Sequence, residues 1–161
     1  MRAIFAIALP LLLPSADADA ADTNVTRKVK AGQEIPIGYA LRWDKNCAPL
    51  TPKIVLTVPP EHGSICARDY VGLARRNVVN ADQTCVGKRI LGLQVIYLAR
   101  SDYAGHDAVD YVIEFPGVVR STHAKIEVRP GDEPATARLG EENVAPGKAG
   151  DVVAACAPLS S

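Results

Sequence analysis

Val109-Asp110-Tyr111-Val112-Ile113-Glu114-Phe115 is the stretch that decides the fold class. Its odd positions are apolar, while the even positions carry Asp110 and Glu114. That period of two sends alternate side chains into a core and into water. Pro116-Gly117 follows as a turn. Beyond it Thr122, Ala124, Ile126 and Val128 alternate with His123, Lys125, Glu127 and Arg129, so the two segments predict a hairpin. Upstream, Ile54, Leu56 and Val58 alternate until Pro59-Pro60 ends the strand, and Leu93 to Leu98 is a compact apolar run. Shorter candidates are Thr26 to Lys30, Glu34 to Ala40, Ser64 to Arg68 and Leu73 to Val79. No segment carries a capped helical stripe. About seven short strands separated by turn signals predict an all-β domain, a β-sandwich.

The chain around these strands has 161 residues, with 18 basic and 18 acidic side chains. Residues 1–20 predict an export signal: Arg2, an apolar run from Ala3 to Leu13, and the small-x-small site Ala18-Asp19-Ala20. The run is too short to span a bilayer, and no later stretch approaches the ~20 apolar residues that a spanning helix needs. Cleavage removes Arg2, Asp17 and Asp19 and leaves 17 basic and 16 acidic groups, too little excess charge for a nucleic-acid binder that works by displacing counterions. Residues 21–130 are expected to be the domain, with charge +4. Residues 131–161, rich in Gly, Pro, Ala and acid and with charge −3, are expected to be a disordered tail.

Several turns carry a recognisable order. Pro59-Pro60-Glu61-His62-Gly63-Ser64-Ile65 is followed by Val95-Ile96-Tyr97, by Tyr103-Ala104-Gly105-His106-Asp107-Ala108-Val109-Asp110-Tyr111, and by Ala124-Lys125-Ile126-Glu127-Val128. From Lys53 to Arg129 this resembles the bacterial Ig-like and cadherin-like domains of secreted and surface proteins. The resemblance implies one Ig-like sandwich with Greek-key connections and a bacterial chain, periplasmic or secreted, but it implies no reaction. Physically, Gly63 and Gly105 suit turns that need positive φ or close backbone approach. Asp107 is placed to bind local amides, and Tyr111 resembles the corner tyrosine whose hydroxyl bonds upstream backbone.

Four cysteines in an exported chain predict disulfides, with three possible pairings. Cys47 with Cys85 is the preferred pair, since both lie in turn-rich surroundings. Cys66 then takes Cys156 or stays free, and Cys66 with Cys85 is the rival. No C-x-x-C or zinc spacing occurs. His62 and His106, beside Glu61 and Asp107, are the candidate metal ligands, whereas His123 falls on a solvated face. Asp102, Asp107 and Asp110 are the only carboxylate group to weigh for calcium. Ser101, His106 and Asp107 are close in sequence, but no nucleophile elbow accompanies them. Arg75, Arg76, Lys88 and Arg89 form a basic cluster, either a solvated loop face or a patch for an acidic partner. The expectation is an exported, non-catalytic module without cofactor that binds a protein or cell-envelope component through loops such as 68–83. The alternative is a periplasmic metal-binding or metal-delivery protein.

Overall fold

A computed structural model describes residues 21–75, 84–131 and 147–156. Seven strands form two sheets: β1 Ala21–Lys30, β2 Glu34–Ala40, β3 Lys53–Val58, β4 Gly63–Leu73, β5 Arg89–Ala99, β6 Gly105–Phe115 and β7 Val118–Arg129. Sheet A has the order β1-β7-β6-β3 and sheet B the order β2-β5-β4. The chain changes sheet between β1 and β2, β2 and β3, β3 and β4, and β5 and β6. The result is the expected all-β Greek-key sandwich.

The Val109 segment behaves as its pattern dictates. Val109, Tyr111, Ile113 and Phe115 are buried, and so, on the same face of the sheet, are Thr122, Ala124, Ile126 and Val128 of β7. Gly117 supplies φ 76 at the turn, in the left-handed region where a side chain would be strained. Sheet B contributes Ile37, Val95 and Tyr97 to the same core. At the other edge of sheet A, β1 lies parallel to β7, with Val29 beside Val128. It begins at Ala21, five residues earlier than the period of two suggested.

Two tyrosines tie the sheets together. The Tyr111 hydroxyl donates to the Ile37 carbonyl of sheet B at 3.2 Å. The upstream backbone foreseen for this hydroxyl is therefore on the opposite sheet, 74 residues away. A bulge between Pro36 and Gly38 makes the meeting possible. A Cβ at Gly38 would collide with the Tyr111 hydroxyl. Burial pushes the Tyr111 phenol up to about 12.

Both disulfides form, Cys47 with Cys85 and Cys66 with Cys156. The preferred pair is right and the Cys66–Cys85 rival is excluded. Two disulfides suit an oxidising, exported setting. No helix among the described residues is long and apolar enough to cross a membrane.

The tail needs correction. Residues 147–156 return to the sandwich as a strap along its open side, so the domain does not end at 130. Leu56 of β3 donates its N–H to Asp151 and accepts from Gly150, and Val153 donates to Ile54. The strap then passes to sheet B, where Ala67 of β4 donates to Ala154 and accepts from Cys156. Composition misled because the strap is held by backbone pairing to two sheet edges and by one disulfide, with little apolar burial beyond Val153. The remainder of the tail and the signal segment lie outside the described residues.

Candidate functional site

The sequence candidates fall at opposite ends of the sandwich. One end holds the β3–β4 turn and the β5–β6 connection, and here Asp107 is central. Its Oδ1 accepts from the N–H of Glu61 at 3.1 Å and of Ala108 at 2.9 Å. Its Oδ2 accepts from the His62 N–H at 3.0 Å and from the Tyr97 hydroxyl at 2.7 Å. Only the Ala108 bond is local. The others bind the β3–β4 crossover and reach Tyr97 of sheet B. Tyr97 is fully buried, and its hydroxyl also lies 3.2 Å from the His62 carbonyl. Burial first, then the Asp107 carboxylate, hold that phenol far above its ordinary range.

The two glycines permit this packing in different ways. A Cβ at Gly63 would press on the Tyr97 ring at 2.5 Å and on the Leu98 carbonyl at 2.6 Å, so the requirement there is close approach. Gly105 has φ 152 and sits against the Tyr103 hydroxyl.

Four donors occupy the four acceptor directions of the Asp107 carboxylate, which leaves none for a cation or a histidine. The His62 ring stacks on Tyr103 at 3.6 Å between centroids, and the Tyr103 hydroxyl donates to the His106 carbonyl. Among the described residues no three of His, Cys, Asp and Glu gather in a way that could hold a metal ion. The serine-histidine-aspartate reading fails on the same carboxylate, because a triad needs it on the imidazole. Asp102 pairs with Arg100 at 2.6 Å, and Asp110 lies 3.1 Å from His123, so neither carboxylate turns toward Asp107. An open groove of about 660 Å³ adjoins this end, lined by the apolar Val58, Pro59 and Ala108 together with Glu61, His106 and Lys125.

The other end is built by β4 and β5, which pair over eleven positions from Gly63↔Ala99 to Leu73↔Arg89. The hairpin runs past the core, and its two faces differ. On one, Ala74, Cys85 and Ile90 are buried under Leu41, Trp43 and Cys47 of the β2–β3 connection. Gly92 allows that cover, since a Cβ there would collide with the Ala40 carbonyl. On the other face Val71 and Leu91 are directly paired and Leu73 lies two residues on, with exposures of 50%, 50% and 58%. Cross-strand partners share a face, so these three form one aliphatic patch. Arg89 is paired to Leu73 and belongs to the same face. Arg75, two residues beyond Leu73, is exposed as well, whereas the Lys88 ammonium lies on the other face, 3.3 Å from the Cys47 sulfur. Arg76, and the strand suggested to continue to Val79, lie outside the described residues.

Of the basic cluster, Arg89 and Arg75 therefore adjoin three exposed aliphatic side chains, a combination suited to an apolar segment that also carries carboxylates. Sequence reasoning found the cations but missed Val71, Leu73 and Leu91. Their signal was apolar residues at i, i+2 with a glycine between them, Val71-Gly72-Leu73 and Leu91-Gly92-Leu93. It also missed Tyr97 as the partner of Asp107. Neither family models nor curated proteins give a match to this chain.

Proposed function

We propose that the protein is an exported, non-catalytic binding module of Ig-like type, which holds a protein or cell-envelope component at the free end of its β4–β5 hairpin. The observation that carries this reading is the patch of Val71, Leu73 and Leu91, half-exposed or more, with Arg89 on the same face and Arg75 exposed two residues beyond Leu73. Exposed aliphatics grouped on one sheet face leave apolar area in water that a partner would remove, at about 25 cal/mol per Å². The rigid frame supports the same reading. Cys47–Cys85 pins the β2–β3 connection under the hairpin, so the patch is held in shape before a partner arrives and loses little entropy on binding. The sheet orders β1-β7-β6-β3 and β2-β5-β4 support the Ig-like resemblance, and the disulfides support a periplasmic or secreted setting.

Site-specific photo-crosslinking tests the proposal. A photoreactive residue at Leu73 is expected to capture a discrete partner in the native envelope fraction, and Leu91→Asp in the same chain is expected to abolish capture while the protein stays folded. A photoreactive residue at Lys125, on the far sheet, serves as control. Equal capture from both positions, or none from Leu73, would overturn the assignment.

A further inference from the structure

We propose that the open side of the sandwich between β3 and β4 is a strand-receiving site, and that it takes the C-terminal segment of a second copy of this chain as well as its own. The occupied state is visible in cis. Five backbone hydrogen bonds join residues 150–156 to Ile54, Leu56 and Ala67, and the Cys66–Cys156 bond closes the contact. These bonds use main-chain groups of two edge strands, which any extended segment offers equally well whether it comes from the same molecule or another. The side chains add little to hold the strap at home. Val153 is partly buried against the core, whereas Val152 is 60% exposed.

Reach permits exchange. Fifteen residues, 132–146, separate the last described residue of the sandwich from Gly147. Extended, they span about 50 Å, against a radius of gyration of about 13 Å for a domain of ~100 residues. A neighbour's β3/β4 side is therefore as accessible as the chain's own. The two disulfides differ in the way exchange requires. In the Cys47–Cys85 bond only Cys47 is partly exposed and Cys85 is buried, whereas Cys66 and Cys156 are both partly exposed, so either sulfur of the strap bond can be attacked. A low-molecular-weight thiol thus opens the strap bond in preference to the Cys47–Cys85 bond.

The chemistry is neutral in electrons. A thiolate attacks the Cys156 sulfur and expels the Cys66 thiolate, leaving a mixed disulfide on Cys156. Cys66 thiolate of a second molecule then attacks the same Cys156 sulfur and releases the small thiolate. Two such events convert two monomers into a reciprocal dimer, and the thiol is regenerated.

The test uses the full mature chain in two forms, one uniformly heavy in isotope and one light, mixed with catalytic glutathione and then acid-quenched. The expected result is a covalent dimer on a nonreducing gel. Its Cys66–Cys156 peptides should include heavy-light pairs at the random-mixing share, while its Cys47–Cys85 peptides stay within one isotope. Cys66→Ser should abolish the dimer. Trapping the opened intermediate with glutathione shows separately that the bond has turned over. If it has, and every Cys66–Cys156 peptide still pairs within one isotope, the proposal is overturned. It is equally overturned if both disulfides mix, since that outcome is general unfolding followed by scrambling.

Discussion

Replacing Asp107 with Asn keeps the size of the side chain but turns one acceptor oxygen into a donor nitrogen. In the wild-type arrangement both oxygens receive two donors each, three of them backbone N–H groups. Whichever way the amide is turned, its NH₂ faces at least one main-chain N–H that has lost its acceptor. The least costly orientation places nitrogen toward His62 and Tyr97, because the tyrosine hydroxyl can swing wholly onto the His62 carbonyl 3.2 Å away. The His62 N–H is then orphaned. Losing one bond to a charged group removes about 1.5–3 kcal/mol, and the unsatisfied donor costs about 1–3 kcal/mol more, less the desolvation of the carboxylate that is no longer incurred. The expected loss is about 3 kcal/mol. At about 4–8 °C per kcal/mol for a small domain, this lowers Tm by roughly 10–20 °C. Urea unfolding followed through the single tryptophan, Trp43, measures it, with equal m-values as the check that the denatured state is unchanged. Tyr97→Phe removes only the hydroxyl donor and should cost about 1–2 kcal/mol. An Asp107→Asn midpoint indistinguishable from wild type, or a Tyr97→Phe penalty larger than that of Asp107→Asn, would refute the carboxylate as the organiser of this end.

Gly38→Ala should destabilise by about 1–3 kcal/mol through overpacking against the Tyr111 hydroxyl, and Tyr111→Phe in the same chain should recover part of that loss, which a double-mutant cycle in urea would read. Because burial raises the Tyr111 phenol to about 12, its contribution is fully present below the ordinary phenol value near 10 and disappears as pH rises through about 12. Alkaline melts should therefore show a loss over that window that is smaller in Tyr111→Phe. The Glu34 carboxyl, held low first by its hydrogen bond from Arg68 and then by the charge of that guanidinium, carries the opposite sign. Its contribution is present above the unfolded value near 4.3 and falls away on acidification, so Glu34→Gln should flatten the acid limb of a stability profile. Cys66→Ser opens a loop of 90 residues, for which the chain-entropy model gives about 4–5 kcal/mol, measurable as a shift of the urea midpoint.

How much of this was legible in the sequence depended on whether burial followed a local period. Strands β6 and β7 were readable because each has one face in the core and one in water, and Pro116-Gly117 marks the turn between them. The distal half of the β4–β5 hairpin was not. The face of Val71, Leu73 and Leu91 meets no core, and on the covered face Gly72 and Gly92, present for the approach of Leu41, leave no apolar side chain at their own positions to mark the alternation. Asp107 read as a turn residue, which it is toward Ala108, but three of its bonds reach residues that sequence spacing does not bring near. The strap was hidden for a related reason. Backbone pairing to an edge leaves no hydrophobic signature, and the one usable hint was Cys156 in an otherwise low-complexity stretch.

The parallel pairing of β1 with β7 has a kinetic meaning. Its first registered pair joins Ala21 to Arg120, and its last joins Lys30 to Arg129. Sheet A cannot be completed at its β1 edge until residues 118–129 are available, and the tight hairpin of β6 with β7 lies late in the sequence. Such a contact order belongs to domains that fold in milliseconds to seconds rather than microseconds. Until β7 is made, β1 has no partner in sheet A, so that edge of the sandwich stays unpaired for the whole interval between Lys30 and Val118.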